Sequence, residues 1–223
     1  MLNFVQGQLV SISVIVFILG FFYQGIQFFK LTKKKEWGVP PLPIENKPKK
    51  KAADQWVIEG LRTLNGTLWK TDPVFTIVTS VFHVCLIIVP LFLLGHNILL
   101  DQAWGFSLFS LPESLSDFLT FIVLVCGVYF LYRRLFLARV RALTTAYDYI
   151  TLLIAIAPFL TGFLAYHQWV DYETTILIHI LSGELMLITI PFTKLGHMLF
   201  FFLYRFFIGT EYSFVRGSRT WAW

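Results

Sequence analysis

Charge is scarce in this chain. Of its 223 residues, 14% are Asp, Glu, Lys or Arg, against about a quarter in a soluble domain. With 57% of the residues hydrophobic and 18% aromatic, a water-soluble fold is excluded. Cysteine is nearly absent too. Cys85 and Cys126 both lie inside apolar runs, and no Cys-x-x-Cys-His occurs, which excludes a disulfide framework and covalent c-type haem attachment. No His-Glu-x-x-His occurs either, and no cysteine or carboxylate stands at zinc-ligand spacing from a histidine, so a zinc hydrolase is excluded. Lys and Arg are missing altogether from Thr71 to Tyr132 and from Ala142 to Thr193. The +5 net charge is therefore confined to blocks between apolar runs. It forms no basic face for nucleic acid. No internal repeat is evident.

What remains is a series of apolar runs, each long enough to cross a bilayer. They cover about residues 9–29, 74–100, 118–137, 147–166 and 173–207. The expectation is an all-α membrane protein, one five-helix bundle without further domains. The first run is too long for a cleaved signal peptide and has no basic residue ahead of it. Residues 31–72 are polar and basic. They contain Val39-Pro40-Pro41-Leu42-Pro43, an extended polyproline stretch, and a segment at 54–68 whose Trp56, Val57, Leu61, Leu64 and Leu68 follow the spacing of an interfacial helix. Pro158 is placed to kink the fourth span. Residues 208–223 form a polar, aromatic tail. Of the 18 Lys and Arg, ten fall between Lys30 and Lys70, four between Arg133 and Arg141, and four from Lys194 onward. With five spans all of these share one side, so the positive-inside rule places the N-terminus outside and the C-terminus in the cytoplasm.

Ionisable residues inside spans are costly and signal function. Four of the five histidines fall there. His179 and His197 are 18 residues apart in the fifth run. On an unbroken helix that is five turns, so both rings leave one face roughly 27 Å apart in depth. His83 and His96 lie in the second run, which points the opposite way. Pairing by depth gives His83 with His197 on the inner side and His96 with His179 on the outer. Two stacked bis-imidazole sites are how a pair of haems is held. The 13 residues between His83 and His96 do not return to one face, but Pro90 can rewind that helix and Pro191 lies between the other pair. Gly95, Gly183 and Gly196 flank the histidines and leave room for a flat ring. Thr79, Thr175 and Thr193 each precede a histidine by four residues. A hydroxyl or carbonyl there could fix the imidazole's other nitrogen, or the threonines simply bond their own helix. Arg133, Arg134, Lys194 and Arg205 lie at the inner face, as candidate partners for haem propionates or as plain anchors. Glu184 lies between the two levels, a candidate proton or quinone ligand or a structural acid. His167 falls in an outer loop.

With these residues in view, the chain resembles the gamma subunit (cytochrome b) of respiratory nitrate reductase. It is more similar to the cytochrome b subunits of the Hmc, Tmc and Dsr transmembrane redox complexes of sulfate-respiring anaerobes. The resemblance covers most of the chain. It is carried by His83 and His96 in SVFHVCLIIVPLFLLGHN, by His179 and His197 in IHILSGELMLITIPFTKLGHMLFFFLYRFF, and by tail residues such as Arg216 and Trp221. It implies two b haems, electron exchange with a quinone such as menaquinone, and a bacterial cytoplasmic-membrane location. It also implies a cytoplasmic iron–sulfur partner of heterodisulfide-reductase type, with further integral membrane subunits and periplasmic multihaem cytochromes c. This chain departs from the nitrate reductase pattern in its wider His83–His96 spacing, its basic insertion and its cation-free outer side. An outer site would draw on Asn97, Trp104, Tyr166, His167 or backbone groups. A haem-free membrane anchor or proton-conducting subunit is the alternative from another class.

Overall fold

The structure is a computed structural model that describes residues 5–32 and 72–197. The expected interfacial helix at 54–68, the tail at 208–223 and Arg205 lie outside the described residues. Those described are helical, with no strand among them. In chain order a π-helical turn, Val5–Leu9, leads into α1 (Val10–Thr32). Then come α2 (Pro73–Phe92), α3 (Leu94–Trp104), α4 (Glu113–Phe136), the short α5 (Ala138–Arg141), α6 (Ala146–His167) and α7 (Tyr172–Thr189). Two 3-10 turns follow, Ile190–Phe192 and Lys194–Gly196. Five helical stretches are long and apolar enough to cross a membrane: Gly7–Lys30, Pro73–Phe92, Glu113–Phe136, Ala146–His167 and Tyr172–Phe192. The protein is thus a multi-pass membrane protein.

Three of the expected spans match these helices closely, and two do not. The run expected to be helical over 74–100 breaks at Leu93, whose backbone is extended (φ −70°, ψ 129°), and resumes as α3. The run expected over 173–207 stops being α-helical at Thr189; Thr193 is extended (φ −123°, ψ −178°). Each break lies within three residues of a proline, Pro90 and Pro191, which cannot donate to the helix ladder. The whole-turn register from His179 to His197 is therefore lost. The 13-residue spacing of His83 and His96 likewise carries no facial meaning, because α3 starts a new register. The loop expected from Asp101 is shorter: α3 continues to Trp104 and ends on Gly105 in the left-handed region (φ 71°), with its N–H on Asp101 O at 2.8 Å. α6 runs through Pro158.

The chain divides into two compact units. The first comprises Met1–Gln24 and Val78–Leu195. Within it α7 packs along α6, α6 along α4, and the Val5–Leu9 turn against α7. Close approaches fix these seams. A Cβ on Gly127 would meet Ile156 Cδ1 at 2.7 Å, and one on Gly20 would meet Pro191 Cγ at 2.6 Å. One end of the α4–α6 pair is cationic, with Tyr149 Oη donating to Arg134 O (3.3 Å) and Lys194 Nζ to Asp148 Oδ1 (2.7 Å). At the other end His167 Nε2 meets Asp117 Oδ1 at 3.1 Å, and His167 stacks on Trp169. The second unit comprises Gly25–Ile77 and Gly196–Trp223. Its described part includes buried Phe28 and the Asp72 cap, whose Oδ1 accepts from Phe75 N at 3.1 Å.

Side-chain caps start α2 at Asp72 and α7 at Asp171. Asp171 Oδ2 accepts from Thr174 N at 2.9 Å at the start of α7, and the Thr174 hydroxyl and backbone N–H hold its carboxyl below the usual carboxylate range. A depressed carboxyl stabilises the fold above its unfolded-state pKa and loses that contribution as pH falls through its folded-state value. Asp171→Asn should therefore flatten part of the acid limb of a thermal-stability profile. Gly20→Leu forces the α1 backbone away from the Pro191 ring. It should cost about 1–3 kcal/mol, read as a lower midpoint in detergent-resistant thermal unfolding.

Candidate functional site

A helix that breaks inside an apolar medium strands its last carbonyls, and each must find a donor. At the end of α2 the stranded groups are the carbonyls of Pro90, Leu91 and Phe92. His96 Nδ1 takes Pro90 O at 2.9 Å, Asn97 Nδ2 reaches Leu91 O at 3.3 Å, and Leu111 N donates to Phe92 O at 2.9 Å. Asn97 is only 2% exposed. It also reaches Leu93 O and Ser110 Oγ, and its own Oδ1 accepts from Leu108 N at 2.9 Å. The break, the start of α3 and the loop after it are thus knotted around one amide. Asn97, read from sequence as a possible ligand-facing group, is spent on this structural task.

The break delivers His96 to His179. Their ring centroids are 6.0 Å apart and their planes differ by 17°. On α7, His179 is held from α6: its Nδ1 lies 2.8 Å from Pro158 O and 3.4 Å from Thr161 Oγ1. Gly162 gives the ring its place, since a Cβ there would meet His179 Cε1 at 2.9 Å. A Cβ on Gly95 or Gly183 would meet nothing within 4 Å. With each Nδ1 on a main-chain carbonyl, the ring's other nitrogen, Nε2, is the one left to act as ligand. The pair lies toward the cation-free end of the unit, because Gly162 is near the C-terminal end of α6.

The other expected ligands are placed differently. His83 Nδ1 lies 2.7 Å from Thr79 O, one turn back, and its ring packs edge-on to Phe82. His83 belongs to the first unit and His197 to the second. Of the three threonines, Thr79 serves its histidine through its carbonyl, while its hydroxyl is buried with no partner among the described residues. Thr175 does not serve His179: its Oγ1 donates to Asp171 O at 2.6 Å. Pro158 O, on another helix, has that role. Thr193 lies in the non-helical break, so it is not one α-turn from His197, and its Oγ1 accepts from Leu195 N at 3.3 Å. Arg133 donates to Tyr129 Oη (3.1 Å), Arg134 to Phe130 O (3.2 Å), and Lys194 is ion-paired with Asp148. His167 is the last residue of α6 rather than a loop residue. Sequence reasoning missed Gly162 and the carbonyls of Pro90 and Pro158. Gly162 follows Pro158 by one turn in PFLTGF, which was the available signal.

Fold and site together define a helical multi-pass membrane protein with a paired-imidazole centre built at a helix break. The chain is 45% identical over 152 residues to a protein of Nitratidesulfovibrio vulgaris (strain Hildenborough) that carries the name "Protein". The match covers 68% of this chain and 67% of that one, and the chain belongs to the same family. No family model and no solved structure matches it.

Asn97→Ala leaves Leu108 N–H and Leu91 O unpaired. It should cost about 2–3 kcal/mol, measured as loss of folded protein on heating in detergent. Asn97→Asp, which keeps the acceptor, should still lose the donor half.

Proposed function

We propose that the chain is a dihaem b-type membrane cytochrome, the electron-transfer subunit of a respiratory complex. The observation that carries this is the His96–His179 pair. Two imidazoles bound through nitrogen to one metal, with bonds of about 2 Å each, have centroids about 6 Å apart, and this pair stands at 6.0 Å. Among the described residues no three His, Cys, Asp or Glu converge. A metal that draws all its ligands from side chains finds no site in that set. A porphyrin brings its own equatorial nitrogens and needs only two axial ligands from the protein. The open space beside Gly95 and Gly183 suits a flat ring. His96 and His179 would hold one haem; His83 and His197 would hold the other.

When bound, the haems supply one-electron transfer at two depths. The chain's own part is to bind, orient and exclude water. The Pro90 and Pro158 carbonyls set the tautomer and direction of the two rings, and a carbonyl-bonded imidazole is a stronger ligand. The apolar spans keep the centre dry. Arg133, Arg134 and Lys194 share the cationic end, where the positive-inside rule favours the cytoplasm; Arg205 is assigned to that side from sequence. Electrons would pass between a quinone pool, such as menaquinone, or a periplasmic multihaem cytochrome, and a cytoplasmic iron–sulfur subunit. The basic stretch at 31–72 would dock that subunit, with the N-terminus outside in the bacterial cytoplasmic membrane.

The test is the spectrum and haem content of the purified protein. The expected result is a b-type spectrum with two haems per chain. His96→Ala or His179→Ala should remove one haem and leave the other, and Gly162→Val, which displaces the His179 ring, should do the same. A folded, colourless protein overturns the proposal and favours a haem-free anchor or proton-conducting subunit.

A further inference from the structure

α4 and α6 carry between them an open groove of about 420 Å³, within the size range of small-molecule sites. Phe121 and Val125 of α4 line it, with Leu160, Phe163 and Leu164 of α6 and Trp169 just beyond. Val125 is 51% exposed and Trp169 68%, so the groove opens on the lipid-facing surface of the spans.

The walls are apolar, but one end is not. Phe163 and Trp169 both pack on His167, with ring centroids 4.4 and 5.0 Å away, and Phe163 meets Trp169 edge-on at 5.6 Å. His167 Nε2 in turn lies 3.1 Å from Asp117 Oδ1. Aromatic rings thus link the groove to a half-buried histidine–aspartate pair. A carboxylate only accepts, so the hydrogen between the two is on Nε2, and Nδ1 of the neutral ring is left as an acceptor. Nδ1 has no hydrogen-bond partner among the described residues.

These features select the occupant. A phospholipid could lay an acyl chain in the groove, but its phosphate would come to rest by Asp117. No Lys or Arg occurs from Thr71 to Tyr132 or from Ala142 to Thr193 to receive it. A flat, uncharged head suits the aromatic walls, and a hydroxyl on that head supplies the hydrogen that Nδ1 lacks. A branched apolar tail suits the leucines and the valine. α6 is also a wall shared with the imidazole pair: Leu160, Phe163 and Leu164 line the groove, while Pro158, Thr161 and Gly162 hold His179. A helix is about 10–12 Å across, so a redox-active ring in the groove stands one helix away from that pair.

We propose that the α4–α6 groove binds a prenylated hydroquinone, with its tail along the groove, its ring against Phe163 and Trp169, and one hydroxyl donating to His167 Nδ1. The choice of a redox-active head rests on the cytochrome reading; the groove, its aromatic walls and the histidine–aspartate pair do not. Asp117 is a positioning residue, because it fixes the tautomer that leaves Nδ1 free to accept. The reduced ligand is favoured. An oxidised quinone offers only carbonyl oxygens, and two acceptors do not pair.

Equilibrium binding of tritium-labelled menaquinol with four prenyl units, to the protein in phosphatidylcholine nanodiscs, tests this. The quinol should bind about tenfold more tightly than the quinone, as one added hydrogen bond allows. Val125→Trp, which fills the groove from its open side, should abolish binding; Val84→Trp, on an exposed position of α2, should leave it unchanged. His167→Phe keeps an aromatic ring in place and should erase the preference for the reduced form, and Asp117→Asn should weaken that preference. Binding that ignores Val125→Trp overturns the proposal, as does equal affinity for the two redox forms in the unmutated protein. A groove held by phospholipid would show no saturable quinol binding, which also overturns it. The comparison of quinol with quinone needs no variant, so it stands even where a variant does not fold. A colourless protein that binds the quinol in this groove would sink the cytochrome reading alone; a haem-loaded protein without that binding would sink this one alone.

Discussion

The constraint that shapes this molecule is the unpaired main-chain carbonyl in an apolar medium. Water is not there to solvate it, so a span can break only where side chains or loop amides arrive to take the exposed groups. At Leu93 three carbonyls are released, and an imidazole, an amide and a loop N–H take them. The break is thus a construction step. It turns the chain, starts α3 and hands His96 to its partner on α7.

The same bonding logic holds His179. Its acceptor is a carbonyl of a neighbouring helix, and a glycine on that helix makes the approach possible. The pair depends on three helical segments, α3, α6 and α7, and the seams among α4, α6 and α7 fix where the last two stand. Packing and site geometry are here one problem.

Much of the fold was legible in the sequence, because bilayer thickness imposes run length and the blocks of Lys and Arg mark the ends of the runs on one side. The pairing of His96 with His179 was legible from depth alone. The breaks were visible only as prolines, since Pro158 is carried through a helix while the helices at Pro90 and Pro191 end within three residues. Nothing local to the sequence separates those outcomes; the partners at 108–111 and in α1 decide them. The threonines misled for a related reason. A spacing of four suggests contact along one helix, but Thr175 is taken by Asp171 at the helix start, and the imidazole turns to α6 instead.

Both rings of the pair are steered by oxygen atoms that every amino acid carries. Replacing neighbouring side chains one at a time leaves those oxygens in place, so an alanine scan would pass over the groups that aim the imidazoles. Homologues could drift widely around Pro90 and Pro158 while preserving the aim, provided the path of the main chain is kept. What inheritance has to guard at this centre, besides the two histidines, is a bend.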